Sequence, residues 1–103
     1  MDTYGLIGYP LAHSFSAEFF NKKFTREGIR AEYLNFECEE VSEIQNILNS
    51  YQLLKGLNVT IPHKEKVISY LDKMTPEAMK IGAVNTIRVE REKNKMQPPQ
   101  LGA

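Results

Sequence analysis

Hydrophobic residues recur with two different periods along this chain of 103 residues, one typical of strands and one typical of helices. Apolar runs and two-residue alternations predict four strands, at residues 3–9, 31–38, 57–61 and 83–89. In the second strand, Leu34, Phe36 and Cys38 are predicted to face one side of a sheet, with Tyr33 and Asn35 on the other side. Between these segments lie stretches in which hydrophobic residues recur with the longer period of a helix.

These intervening stretches have helical spacing, at residues 13–28, 39–51, 62–71 and 75–82. Ser14 or Ser16 is predicted to cap the first helix, because a serine hydroxyl can accept a hydrogen bond from a free N–H group of the first turn. Gly28 is predicted to end that helix, since glycine tolerates the left-handed conformation that often follows a last turn.

The third and last helices also carry signals at their starts. Leu57, Val59 and Ile61 are predicted to share one face of the third strand, and Pro62 to start the helix that follows. In the last helix, the sequence predicts a threonine cap, a proline at the first position and a glycine end, at Thr75, Pro76 and Gly82.

Strands and helices therefore alternate along the chain, which predicts one α/β domain with a mainly parallel open sheet and helices on both faces. Crossovers between its parallel strands are expected to be right-handed. We assign residues 1–89 to this domain. Residues 90–103 are highly charged and contain two prolines, so we expect a mobile tail or a poor edge strand.

Composition and charge narrow the function. Lys plus Arg and Asp plus Glu number 13 each, so no basic field favours nucleic acid or an anionic membrane surface. No basic-then-apolar leader and no apolar run of roughly 18 residues is present, and we expect a cytoplasmic protein. A single cysteine, Cys38, and two isolated histidines, His13 and His63, do not favour a metal site.

Three polar clusters follow or precede the predicted strands, where ligands of an open parallel sheet bind. They contain hydroxyls, amides and one ammonium, at His13, Ser14 and Ser16, at Asn58, Thr60 and Lys64, and at Asn85 and Thr86. Such donors suit a polyhydroxylated carboxylate. The same residues also have plain structural interpretations as helix caps, turn residues and a solvated lysine. No G-x-G-x-x-G or Walker motif is present, which argues against a nucleotide site in this chain.

Three stretches in order, "GYPLAHSFS" (8–16), "GLNVTIPHKE" (56–65) and "IGAVNTI" (81–87), closely resemble signatures of the shikimate dehydrogenase family. The resemblance covers residues 3 to 89 and implies the family's N-terminal α/β domain, which binds shikimate beside a Rossmann-like NADP-binding domain. It further implies that the substrate is shikimate or 3-dehydroshikimate.

The same resemblance implies roles for six residues. Ser14 and Ser16 would hold the substrate carboxylate. Asn58, Thr60 and Asn85 would hydrogen-bond ring hydroxyls, and Lys64 would bind the substrate and be the catalytic lysine.

The chain departs from the family pattern after residue 87. No aspartate follows Asp72, so the aspartate that the family pairs with the lysine is absent, and so is the cofactor domain. We therefore expect a domain that binds substrate weakly and is inactive alone. The alternatives are a non-catalytic binding or self-assembling module of this fold, or a domain of a quinate-using relative. Self-association would use the surface that the absent domain normally covers.

Overall fold

A computed structural model of the chain describes residues 1–12, 15–91 and 98–103. Five strands form one sheet: β1 (Asp2–Gly8), β2 (Ala31–Glu37), β3 (Leu54–Val59), β4 (Thr86–Glu90) and β5 (Gln100–Gly102). The α-helices are α1 (Ser16–Arg26), α2 (Ile44–Ser50) and α3 (Pro76–Ile81), and two 3₁₀ helices span Val41–Glu43 and Lys66–Tyr70. Among the described residues, no helix is both long enough and apolar enough to cross a bilayer.

The strands lie in the order β2-β1-β3-β4-β5. β1 is parallel to both β2 and β3, whereas β4 is antiparallel to β3 and β5 is antiparallel to β4. The long connections between the parallel strands contain helices, as parallel pairing requires. The prediction of a mainly parallel open sheet in one α/β domain is confirmed, with an antiparallel hairpin, β4–β5, added at one edge.

Helices cover both faces of the sheet, as predicted. On one face, Phe36 and Cys38 of the second strand region pack in a large apolar cluster with α2 and Val67. On the other face, Tyr33 packs with Leu6 and with partly buried aromatic residues of α1. The predicted alternation in residues 31–38 is therefore confirmed, and it is why one strand can contribute to two separate cores.

Helix α1 is fastened to β2 by one side chain. The Asn21 amide donates to the backbone carbonyl of Tyr33 at 2.9 Å and accepts from the Tyr33 N–H at 2.8 Å. Because β2 is an edge strand, these bonds pair backbone groups that would otherwise be free. Gly28 follows the helix with φ of 67°, so its predicted role at the helix end is confirmed.

The predicted serine cap of α1 is wrong for Ser16. The helix begins at Ser16 itself, and the preceding residue, Phe15, occupies the cap position without a side-chain cap hydrogen bond. Ser16 is therefore in the first turn, where its hydroxyl is not needed to cap the helix. Ser14 and His13 lie outside the described residues.

The predicted ends of the last helix are all confirmed. Thr75 Oγ1 accepts a hydrogen bond from Ala78 N at 3.2 Å, and Pro76 is the first residue of α3. Gly82 ends it with φ of 71°. The second predicted helix, at residues 39–51, is present but starts as a 3₁₀ turn before α2.

The prediction for residues 61 and 62 is wrong. β3 ends at Val59, and Ile61 does not share its inward face but is 74% exposed. Pro62 does not start a helix, because His63 N donates to Thr60 O at 3.1 Å and closes a turn instead. Helical structure begins only at Lys66.

The end of the chain contributes an edge strand, which was one of the two expectations for residues 90–103. Leu101 is buried, and its N–H donates to the Asp72 carboxylate at 2.7 Å. The last residues thus pack in the sheet because an apolar side chain and a backbone group both find partners there. Residues 92–97 of the predicted tail lie outside the described residues.

Candidate functional site

The sheet topology brings several loops to one edge. The carboxyl ends of β1, β2 and β3 meet there, because these strands are parallel. β4 runs the other way, so its first residue, Thr86, pairs with Asn58 near the end of β3. Two of the polar clusters found in the sequence, those around residues 58–64 and 85–86, are therefore neighbours although more than twenty residues separate them along the chain.

Backbone hydrogen bonds beyond the strands hold these loops together. Thr60 N donates to Ile7 O at 3.0 Å, which joins the β3 loop to β1. Val59 N donates to Asn85 O at 2.7 Å, and Val84 N donates to Lys64 O at 2.8 Å. The loop that carries Thr60 and Lys64 is thus bonded on one side to the end of β1 and on the other to the start of β4.

Hydrogen bonds to two other side chains orient the amide of Asn58. Its Nδ2 donates to the Tyr33 hydroxyl at 2.8 Å, and its Oδ1 accepts from Thr86 Oγ1 at 3.4 Å. Burial raises the pKa of Tyr33, and the hydrogen bond from Asn58 opposes that rise. Asn58 therefore has both ends of its amide engaged inside the protein and retains one N–H and one lone pair for a ligand.

Ser16 and Thr60 line the same small cleft, of about 400 Å³. The other walls of the cleft come from the turn after β1 and from Ile61, and include Tyr9, Pro10 and Leu11. The first turn of α1 begins here, so its first N–H groups have no partner within the helix. A hydroxyl on each side and free amide donors at one end suit a small anionic ligand.

Lys64 is half-buried in the loop between β3 and the second 3₁₀ helix. Within residues 1–12, 15–91 and 98–103, no carboxylate lies at ion-pair distance from its ammonium. Its carbonyl is bonded to the residue just before Asn85, so these two predicted site residues lie on adjoining backbone segments. A lysine ammonium can donate a hydrogen bond to a hydroxyl group, and the neutral amine can take a proton from one.

A larger groove of about 600 Å³ lies on the α1 face of the sheet and extends from the first residues of β1 and β2, Asp2 and Ala31, toward the edge that carries Asn58. Asn58 and Thr86 form part of its wall, and Phe20 and Phe24 of α1 form another part. Of the six predicted site residues, Ser16 and Thr60 line the small cleft and Asn58 lines the larger groove. Lys64 and Asn85 lie on backbone segments that are hydrogen-bonded to each other at the carboxyl edge of the sheet. The sixth, Ser14, is outside the described residues.

The sequence profile of one protein family matches most of this chain. Its description is "Shikimate dehydrogenase substrate binding domain", and it matches residues 6–87. The chain belongs to the shikimate dehydrogenase family. The match spans Ser16, Asn58, Thr60, Lys64 and Asn85.

Individual shikimate dehydrogenases agree with this assignment. The shikimate dehydrogenase (NADP(+)) of Dictyoglomus thermophilum is 45% identical over 100 residues, which are 96% of this chain and 36% of that protein. The crystal structure of shikimate dehydrogenase 1 from Peptoclostridium difficile has 36% identity and a TM-score of 0.82, over 100% of this chain and 37% of that one. A shikimate 5-dehydrogenase structure from Listeria monocytogenes, in complex with shikimate and NAD, has 31% identity and a TM-score of 0.78, over 100% and 34%. This chain spans about a third of the length of the relatives that it matches.

Three residues of this shikimate dehydrogenase domain were missed or undervalued by sequence reasoning. Tyr33 was predicted only to face the side of the sheet opposite Phe36, yet its hydroxyl orients Asn58. Thr86 was noted as polar, but its bond to Asn58 depends on the antiparallel register of β4, which the sequence pattern does not reveal. His63 was interpreted as an isolated histidine, and no local signal marks it as the buried residue that it is.

Proposed function

We propose that this chain is the substrate-binding domain of a cytoplasmic, NADP-dependent shikimate dehydrogenase that interconverts 3-dehydroshikimate and shikimate in aromatic amino-acid biosynthesis. The observation that carries the proposal is the convergence of the segments bearing Ser16, Thr60, Lys64 and Asn85 at one sheet edge. Family membership supports it further, since the Dictyoglomus thermophilum relative is named as an NADP(+) enzyme.

Each side chain then has a role that its chemistry suits. Ser14 and Ser16 bind the carboxylate of shikimate, with the free amides of the first turn of α1 adding donors. Asn58, Thr60 and Asn85 hydrogen-bond the ring hydroxyls, because amides and hydroxyls both donate and accept. Asn58 enters this role already oriented by Tyr33.

Lys64 is the residue we assign to proton transfer. Oxidation of a secondary alcohol to a ketone removes a hydride from carbon and a proton from oxygen. An amine at hydrogen-bond distance from that oxygen can take the proton, and an ammonium can return it in the reverse direction. We assign Lys64 to this position because its loop is bonded to the segment of Asn85.

The residues of this chain do not form the cofactor site. No glycine-rich strand-turn-helix fingerprint is present, so NADP, which is the hydride carrier of this reaction, would be held elsewhere in a longer protein. The chain's own residues therefore bind and orient the substrate and handle the proton. We infer that the domain alone binds shikimate weakly and does not catalyse the reaction.

We further infer where the family's aspartate would enter. β4 and β5 form an antiparallel hairpin, so β5 is parallel to β3 and its carboxyl end lies at the edge that carries Lys64. In a full-length relative, the residues that follow this strand would reach the site directly.

An NMR titration with shikimate tests the proposal. We expect amide shifts at Ser16, Thr60, Lys64 and Asn85 at millimolar shikimate, and smaller shifts with quinate if the domain prefers shikimate. Lys64→Met should keep the melting temperature, since the side chain has no ion-pair partner in the described part of the chain, and should lose most of the response. Absence of any shift in the unmodified chain at millimolar ligand contradicts the proposal.

A non-catalytic, self-assembling module is the second candidate, and exposed apolar side chains favour it. Phe15 is 73% exposed at the start of α1, and Ile61 and Ile81 are similarly exposed on segments that border the same edge. Apolar groups left in water promote association. Sedimentation at several concentrations decides: a monomer that binds shikimate supports the first candidate, and a tight oligomer that ignores shikimate supports the second.

A further inference from the structure

His63 is a buried side chain in an otherwise exposed loop. Of residues 61–66, it alone is buried, with 0% of its surface exposed. Lys64 is half-buried, and the other four residues are exposed. Burial of an imidazole removes a polar group from water, which is unfavourable unless its nitrogen atoms find partners. His63 is therefore the one residue of this loop, residues 61–66, whose side chain is buried in the body of the domain.

The buried imidazole of His63 makes a hydrogen bond at the end of a strand. His63 Nε2 lies 2.6 Å from the backbone carbonyl oxygen of Cys38. A carbonyl only accepts, so the proton of this bond is on Nε2. Cys38 N in turn donates to Gly8 O at 3.0 Å, which extends the pairing of β1 and β2 by one residue. The imidazole thus connects the Lys64 loop to two adjacent strands.

A second bond holds the loop on the other side of Lys64. The Lys64 carbonyl accepts from Val84 N at 2.8 Å, one residue before Asn85. Lys64 therefore lies directly between two attachments, the imidazole of His63 and its own carbonyl. With the imidazole bond removed, the nearest bond to another strand region on the amino-terminal side of Lys64 would be at Ile61, whose carbonyl accepts from Tyr9 N at 3.0 Å.

We propose that His63 is a positioning residue for Lys64, acting through its Nε2–H bond to the Cys38 carbonyl, an inference that rests on the proposed function. The bond fixes the direction in which the lysine leaves the backbone. Preorganised groups bind and react better than mobile ones, because less conformational freedom is lost when the ligand arrives.

The proposed role requires a hydrogen-bond donor at the position of Nε2. It can therefore be tested with side chains that differ in whether they can place an N–H group there. Glutamine can place an amide N–H where Nε2 lies, whereas the shorter asparagine cannot. Phenylalanine fills the volume but leaves the buried Cys38 carbonyl without this partner. The thiol of Cys38 lies 4.0 Å from Nε2 and is not needed, since the bond uses the backbone.

We would measure two quantities for the chain and for His63→Gln, His63→Asn, His63→Phe and Cys38→Ala. The first is the dissociation constant of shikimate by NMR titration. The second, which needs no ligand, is the hydrogen-exchange rate of the Val84 amide compared with the amides of the β1–β3 ladder. We expect His63→Asn and His63→Phe to weaken binding about tenfold and to speed Val84 exchange about tenfold relative to the ladder. We expect His63→Gln and Cys38→Ala to remain within about threefold of the unmodified chain.

The outcomes separate the possibilities. If His63→Asn accelerates all amides equally, the residue is only structural and the proposal is overturned. Equal behaviour of His63→Gln and His63→Asn also overturns it, even if His63→Phe fails to fold. If the unmodified chain does not bind shikimate, the proposed function fails, and the exchange measurement still decides whether His63 holds the backbone of Lys64.

Discussion

The side-chain amide of Asn58 on β3 donates a hydrogen bond of 2.8 Å to the hydroxyl of Tyr33 on β2, across the intervening strand β1. Tyr33 is itself held firmly, since its backbone is bonded to Asn21 and its ring stacks on Phe20 with centroids 4.8 Å apart. The orientation of Asn58 is therefore set by the packing of α1 against β2. A helix on one side of the sheet thus determines how a proposed substrate ligand is presented.

Tyr33→Phe should preserve the fold and impair the site. The ring can keep its packing, but the half-buried Asn58 amide loses the acceptor of one N–H, which costs about 1 kcal/mol of stability. Because the amide is then free to rotate, we expect shikimate to bind roughly three- to tenfold more weakly. Urea denaturation and an NMR titration measure the two effects.

Tyr70→Phe is the matched control for this variant. Tyr70 is half-buried, and its hydroxyl makes no hydrogen bond in the described part of the chain. The control should bind shikimate like the unmodified chain. Equal affinity of Tyr33→Phe and the unmodified chain would show that the Tyr33 hydroxyl does not orient Asn58 for binding.

Gly8 allows the end of β1 to approach the loop of Thr60 closely. A Cβ atom at this position would collide with Thr60 Cγ2 and lie 3.0 Å from the Ile61 carbonyl oxygen. We expect Gly8→Ala to cost about 1–3 kcal/mol and to weaken shikimate binding, since the loop must shift. Adding Thr60→Ser removes the methyl group but keeps the hydroxyl, so the double variant should recover at least about 0.5 kcal/mol relative to additivity. Strict additivity in urea denaturation would contradict this account.

Gly82 is required for a different reason, its backbone conformation. Its φ is 71°, and in the described part of the chain no atom outside the neighbouring residues lies within 4 Å of where a Cβ would be, so a side chain is disfavoured by conformation and not by space. Gly82→Ala should therefore cost about 1 kcal/mol, and Gly82→Asn less, because asparagine tolerates the left-handed region better. Chemical denaturation of both variants tests this order, and an equal loss for the two would refute it.

The fold was largely predictable because its signals are local. Alternation in residues 31–38 assigned Tyr33 and Phe36 to opposite faces, and Thr75, Pro76 and Gly82 marked the ends of α3. Each of these features depends on neighbours within a few residues. The family resemblance added the proposed site residues, which composition alone left open between ligand binding and simple solvation.

The features that were not predictable depend on contacts between distant segments. The turn at Thr60–His63 forms where the sequence predicted a helix start, and the loop is bonded to β1 and to Val84. The partners of Asn58 are Tyr33 and Thr86, which are 25 and 28 residues away. Burial of His63 likewise depends on the residue that follows β2, Cys38, whose carbonyl accepts its hydrogen bond. The spacing of hydrophobic residues along the sequence does not show which distant residues form hydrogen bonds with each other.

The thiol of Cys38 gives a pH dependence whose sign follows from its environment. Burial, aided by the negative charge of Glu43, raises the pKa of Cys38 from 9.0 to about 11. The folded chain therefore binds this proton more tightly than the unfolded chain does. This contribution to stability is complete below pH 9 and is lost as the pH rises through about 11.

We therefore expect the free energy of unfolding to fall between pH 9 and pH 11 more steeply for the unmodified chain than for Cys38→Ala, by no more than about 2–3 kcal/mol. Tyr33, whose pKa is also raised, is present in both proteins and cancels in the difference. Glu43→Gln should reduce the effect only in part, because burial is the larger cause. Urea denaturation at pH 8, 9, 10 and 11 gives the difference directly. A difference that stays constant over this range would mean that the thiol is not held in its protonated form by the fold.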